Sequence, residues 1–213
     1  MNIIEIRNLK KSYKDRVVLR DFSLSVQEQE FVAIIGESGS GKSTLLNIIG
    51  MLEGYDSGEV LLFGQKAPAP FSRKAQKLIR NKMGFVFQNY GLLEDRTVAA
   101  NLKVIVPYAQ CKGINQAVKN ALEAVGLGGF EKRKTMTCSG GEQQRAALAR
   151  LMIKPCSLIL ADEPTGSLDP ENRDSVIELF KQFQQEGKTI VVVTHDMEFA
   201  RNADRIIRIQ TNL

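Results

Sequence analysis

Residues 36–44 read Gly36-Glu37-Ser38-Gly39-Ser40-Gly41-Lys42-Ser43-Thr44 and directly follow the apolar run 31–35. The spacing Gly36-x-x-x-x-Gly41-Lys42-Ser43 is that of a loop that holds phosphate. Glycines let successive backbone amides turn toward one anion. A helix expected from Lys42 adds its unbonded amides and the positive end of its dipole. Lys42 can reach the outer phosphates of a nucleotide as a point charge, and the Ser43 hydroxyl is placed to ligate Mg²⁺.

Three other stretches carry chemistry. The apolar run 158–161 ends in Asp162 and Glu163. Burying a carboxylate is costly, so acids at such a strand tip face a cation or open solvent. Beside a phosphate loop, Asp162 is expected to hold Mg²⁺ through water, and Glu163 to orient and polarise an attacking water. Ser139-Gly140-Gly141-Glu142 has the S-x-x-E spacing of a capping box, at the start of a helix expected over 142–153. Its two glycines leave the backbone open to close approach, making a second helix N-terminus suited to an anion. His195, the one histidine of the chain, follows the apolar run 189–193.

These residues need elements to hold them. Residues 2–27 read as strands broken by a turn near Lys14-Asp15-Arg16. Residues 30–35, with their continuous apolar run, suit a strand buried on both faces, and residues 58–63, 83–88, 158–161, 189–194 and 205–209 read as further strands. Helices are expected at 42–49 and 72–82, and the spacing of Val176, Leu179, Phe180 and Phe183 predicts another. Strand–helix alternation at both ends of the chain, around a mostly helical stretch from 89 to 154, argues for a parallel sheet covered by helices. The 213 residues, 43% hydrophobic, allow a sizeable core. The net charge of +5 is mild, with small basic clusters at 73–80 and 132–134. It is compatible with an anionic membrane surface or nucleic acid and demands neither. Cys111, Cys138 and Cys156 are odd in number and lack CxxC spacing, so reduced thiols are expected.

Taken together, the 36–44 loop, Asp162-Glu163 and the Cys138–Glu142 stretch resemble the nucleotide-binding domain of an ABC ATPase, whose signature is usually written LSGGQ or LSGGE. The resemblance covers almost the whole chain. It implies an α/β fold: a P-loop NTPase (RecA-like) core with a parallel sheet, an N-terminal antiparallel β subdomain and an inserted α-helical subdomain. It implies a single domain, 1–213, with a core lobe from 1–88 and 155–213 and a helical lobe from 89–154. Its cofactors would be ATP and Mg²⁺, and its reaction the hydrolysis of ATP. Gln88 matches the Q-loop glutamine, which contacts Mg²⁺ and the water. Ser167-Leu168-Asp169 matches the D-loop, with Asp169 reaching across a dimer, and Asp169-Pro170 also suits an N-cap and first helical position. His195 matches the switch histidine that contacts the γ-phosphate, and Tyr13 the aromatic residue that stacks on adenine. Ser139, Gly140, Gly141 and Glu142 would close over ATP bound to the loop of a second copy, in an ATP-dependent head-to-tail homodimer. Cys138 stands where the family has leucine. As packing it is a smaller apolar group, and a thiol beside a helix start is expected to have a lowered pKa.

No apolar run approaches the roughly 20 residues that cross a bilayer. A transporter role therefore implies a separate integral membrane permease. Tyr90, Leu92, Leu93 and Val98 are candidates to line a groove for a helix of that partner. The wording of ADEPTGSLD, SGGEQQR and FQNYGLLEDRTVAANL resembles the MacB, LolD and FtsE group and ATPases paired with bacteriocin or peptide exporters. This implies export or extraction of a peptide, bacteriocin, drug or lipoprotein. An FtsE-like ATPase that signals through a membrane protein without moving cargo is the alternative. EKRKTMT lacks the motif of fused drug exporters, and an end at Leu213 gives no regulatory domain of the sugar-importer type. The N-terminus lacks the pattern of a secretion signal, so the expected location is cytoplasmic, on the inner face of the membrane. No nucleic-acid partner is expected: the long coiled coils, zinc modules or tandem domains of ABC ATPases that act on DNA or ribosomes are not legible.

Overall fold

The computed structural model describes residues 1–105, 113–166 and 170–210. The first half of the chain forms β1 (Asn2–Tyr13), β2 (Arg16–Gln27), β3 (Phe31–Ile35), α1 (Lys42–Ile49), β4 (Ser57–Leu62), β5 (Gln65–Lys66), α2 (Arg73–Lys82) and β6 (Met83–Val86). The second half forms α3 (Val98–Lys103), α4 (Ile114–Ala124), α5 (Gly140–Ile153), β7 (Leu158–Asp162), α6 (Pro170–Gln185), β8 (Thr189–Thr194), α7 (Met197–Ala200) and β9 (Arg205–Arg208). The expected D-loop residues Ser167, Leu168 and Asp169, and Cys111, lie outside the described residues.

The strands form two sheets. One is antiparallel, in the order β2-β1-β4-β5; the other is five-stranded and parallel, in the order β6-β7-β8-β3-β9. The apolar runs became the parallel sheet's middle strands, and alternate residues serve opposite faces. In β8, Val191 and Val193 pack toward α1 and the antiparallel sheet, while Ile190 and Val192 pack toward α6 with Phe180 and Phe183. A third cluster, including Leu102, Leu122 and Ala149, draws only on residues 92–153.

Register decides what meets at the top of the parallel sheet. Asp162 pairs with Val193 and Ile35 with Thr194, so β3, β7 and β8 end together. The loops that follow begin at Gly36, Glu163 and His195. Chemistry-bearing residues far apart in the chain thus converge beyond the carboxyl ends of parallel strands, where open α/β sheets place ligands.

Two expectations need correcting. Val98 does not line a groove: it is 1% exposed, inside the helical cluster, whereas Leu93 is 49% exposed. The helix expected over 142–153 starts earlier, at Gly140, with Ser139 as its N-cap. Gly140 and Gly141 are therefore its first two residues rather than part of the approach to it.

Candidate functional site

The 36–44 loop wraps the start of α1. Two glycines are there for steric reasons. A Cβ on Gly36 would sit 2.5 Å from the Ile209 carbonyl oxygen, and one on Gly41 would sit 2.7 Å from Val18 Cγ1. Gly41 is the N-cap of α1 with φ of 97°, in the left-handed region, and no side chain caps the helix. The first amides of α1 are thus claimed by no side chain. Lys42 is 8% exposed, and its Nζ donates to the carbonyls of Gly36 (2.7 Å) and Glu37 (2.8 Å). Arg16 reaches in from β2 to the Gly39 carbonyl at 3.2 Å. The Ser40 hydroxyl is buried with no partner in the cradle. A cleft of about 590 Å³ adjoins the loop, lined by Gly36, Glu37, His195, Met197 and Arg208 among others.

Asp162 ends β7 beside α1, and the Ser43 hydroxyl donates to its carboxylate. Burial pushes this carboxyl above the usual range and the neighbouring Glu163 adds to the rise, while Ser43 and Lys42 pull it down. A half-buried carboxylate against a serine hydroxyl is a pair of hard oxygen donors. That set fits Mg²⁺, which keeps waters and phosphate oxygens as its other ligands.

Glu163 turns away from the strand with φ of 47°, uncommon for a residue with a Cβ. Its N–H donates to the Val193 carbonyl at 2.9 Å, which fixes the turn. Its Oε2 accepts from Thr194 Oγ1 (2.9 Å) and from the His195 amide (3.3 Å). Its Oε1 lies 2.9 Å from His195 Nδ1. The Glu163 side chain is 14% exposed and that of His195 73%, so the carboxylate is anchored and the imidazole is open. Thr194, fully buried, also accepts from the Asp196 amide at 3.0 Å. Asp196 caps α7 and accepts from Thr165 at 3.1 Å. Sequence reading named Glu163 and His195 but missed Thr194. Its signal was weak: a hydroxyl ending a buried strand needs a partner, but nothing in the sequence says which one.

The signature stretch forms a second site. Ser139 Oγ accepts from the Glu142 amide (3.3 Å) and Glu142 Oε2 accepts from the Ser139 amide (2.7 Å), a complete capping box. The Ser139 N–H, helped by Arg133, holds the Glu142 carboxyl below its usual range; Arg133 pairs with it at 3.2 Å. Among the described residues no hydrogen bond or ion pair joins Ser139–Glu142 to the 36–44 loop. Cys138 departs from expectation. Burial raises its thiol pKa, outweighing the nearby Arg133. It packs with Leu102 and Leu122 as an apolar side chain.

Two links tie the sites together. Gln144 of α5 donates to the Pro164 carbonyl, next to Glu163. Gln88 is exposed after β6, and the chain then bends at Tyr90, with φ of 62°. Arg150 holds the bend by donating to the carbonyls of Tyr90 (3.1 Å) and Gly91 (2.6 Å). A Cβ on Gly140 would sit 3.0 Å from the Tyr90 hydroxyl, so the stretch after Gln88 rests on the start of α5. On the other flank, Tyr13 donates to Glu53 and lies 3.4 Å from Thr44 Oγ1, with Lys11 Nζ 4.7 Å above its ring.

Comparison with known proteins agrees with this fold. The ABC transporter family profile matches residues 19–166. The chain is 43% identical over 217 residues to the macrolide export ATP-binding/permease protein MacB of Aggregatibacter actinomycetemcomitans, covering 99% of this chain and 34% of that protein. The Escherichia coli MacB is 38% identical, with 97% and 33% covered. The chain thus spans about a third of the length of the curated relatives it matches. Among solved structures, the dimeric bacterial ABC transporter cassette MJ0796 superposes with a TM-score of 0.91 at 36% identity, covering 98% of this chain and 94% of that one. A dimeric post-hydrolysis state of the same cassette, bound to ADP and phosphate, also gives 0.91, at 34% identity and 99% and 97% coverage.

Proposed function

The chain belongs to the ABC transporter family, and from that premise we propose that it hydrolyses ATP, as one half of a head-to-tail pair, to drive an integral membrane permease. The loop amides and Lys42 bind the phosphates. Ser43, Asp162 and Gln88 would hold Mg²⁺; when bound, the ion would neutralise charge on the phosphates. Glu163 orients the attacking water and takes its proton as the water oxygen bonds to the γ-phosphorus and the bond to ADP breaks. Thr194 and the His195 amide hold one oxygen of that carboxylate, leaving the other for the water and the His195 ring. His195 contacts the γ-phosphate. Tyr13 presents to adenine the ring face that Lys11 leaves open.

Ser139, Gly140, Gly141 and Glu142 cover the phosphates bound by the second copy. Asp169 is assigned to the same interface. The dimeric cassettes, similar along nearly their whole length, support this pairing. Positioning and charge then carry the catalysis.

The relatives named for macrolide export support export over cargo-free signalling. None of the described helices is long and apolar enough to cross a membrane, and the permease is assigned to a partner. We take 89–154 as the lobe that receives it, with Leu93 rather than Val98 at the contact. The location follows: cytoplasmic, on the inner face of the membrane through the permease.

The observation that carries this reading is the fixed Glu163 carboxylate, one residue past Asp162 and shared between Thr194 and His195. Glu163→Gln should bind ATP, lose hydrolysis and accumulate as a dimer on size-exclusion chromatography with ATP. A monomeric variant with normal turnover contradicts the assignment.

A further inference from the structure

The nucleotide site leaves one feature of the molecule without a role. From Val60 to Leu93 the chain contains six lysines and arginines and no aspartate or glutamate. This segment alone carries +6, and the rest of the chain −1, to give the net charge of +5. In the sequence of this segment only the small cluster at 73–80 stands out, but the fold brings two of its lysines together with Lys66 and Lys82. Lys66 on β5 and Lys74, Lys77 and Lys82 on α2 rim a single cleft of about 640 Å³. None of the four takes part in an ion pair among the described residues. Unpaired like charges around one cleft repel, and an anion relieves that repulsion.

The floor of the cleft is apolar, formed by Leu62, Phe63 and Leu78. Lys82 lies over the Phe63 ring, with its Nζ 6.0 Å from the centroid. The cleft therefore asks for a ligand with an anionic head and an aliphatic body. A second observation points the same way. Phe71, in the loop just before the Ser72 N-cap of α2, is 70% exposed. An exposed aromatic beside a cluster of lysines with no acids is the pattern of a surface that rests on a charged bilayer. Nucleic acid would favour a longer basic groove with several stacking rings. An acidic peptide leaves Phe71 unexplained.

We propose that the cleft between β5 and α2 binds anionic phospholipid at the membrane surface, with lysines around the headgroup and the apolar floor beneath its glycerol and upper acyl chains. This contact is made by the chain itself. It does not depend on nucleotide or on a permease.

The test is flotation of the purified full chain, without nucleotide, with vesicles of phosphatidylcholine alone or mixed with phosphatidylglycerol. Binding to the mixed vesicles only is expected, and it should weaken as salt rises. Lys66→Glu/Lys74→Glu/Lys77→Glu should reduce that binding by at least about tenfold while melting temperature and solution ATP turnover stay unchanged. Phe71→Ser should weaken binding less and leave its salt dependence in place. Equal binding to both vesicle types, or undiminished binding by the triple variant, overturns the proposal. So does tighter lysine-dependent capture of a polyglutamate peptide or an oligonucleotide. Because the readout is lipid binding without ATP, its failure leaves the hydrolysis reading standing, and loss of hydrolysis leaves this one standing.

Discussion

The two helix starts that sequence reading marked for phosphate are built in opposite ways. α1 begins at a left-handed glycine with no side-chain cap, in a cradle closed by Lys42. α5 begins at a serine whose hydroxyl and amide are both engaged by Glu142. Their nearby carboxyls shift in opposite directions too: burial raises Asp162, and the Ser139 N–H lowers Glu142. α1 starts without a side-chain cap, as a helix that receives an anion would. α5 is capped by its own side chains, and its first two residues are glycines. On the proposed function one chain carries a pocket and a lid, and the lid serves a different copy.

The contrast can be broken from either side. The largest effect is expected for Lys42→Ala, which removes the buried ammonium that closes the cradle of α1. ATP turnover should fall by more than about 100-fold, as when a preorganised charge-stabilising donor is lost, with the melting temperature close to that of the parent. Ser139→Asp separates cap from lid: aspartate caps as well as serine, so α5 should stay intact. A carboxylate aimed at incoming phosphate should still reduce turnover at least about tenfold through like-charge repulsion. Ser139→Ala does the reverse to the helix, and thermal melting should show a loss of about 1 kcal/mol.

The smallest effects are in the pH dependence. Glu142 has a depressed folded pKa, so its contribution is full above the unfolded value of about 4.3 and disappears as pH falls through the depressed one. Asp162 has a raised folded pKa, so its contribution favours the fold below about 3.9 and is lost as pH rises through that raised value. Asp162→Asn should therefore melt above the parent at neutral pH without metal, whereas Glu142→Gln should melt below it. Calorimetry on both variants checks the signs.

Much of this was legible because the signals are local. Continuous apolar runs gave β3, β7 and β8, and the Ser139/Glu142 spacing gave the cap. What sequence missed depends on contacts between distant segments. Thr194 meets Glu163 only because Asp162 is in register with Val193, a pairing no single stretch encodes. Val98 reads as a groove residue beside Leu93, yet as the first residue of α3 it faces into the helical cluster. At Cys138 burial raises the thiol pKa while Arg133 lowers it, and only the packing around it shows that burial wins. The lysine cleft was likewise hidden, because Lys66 and Lys82 stand far apart in the chain and meet only across β5 and α2.

The decisive measurement is ATP turnover in a mixture of two impaired variants, Lys42→Ala and Ser139→Asp. In a head-to-tail pair, one mixed pocket takes its loop from the Ser139→Asp chain and its signature from the Lys42→Ala chain, and is intact. Turnover should rise on mixing above the sum of the separate components, and the gain should scale with the product of the two concentrations at high dilution. A mixture no more active than its separate components, over the range where the parent is active, contradicts an ATP pocket shared between two copies.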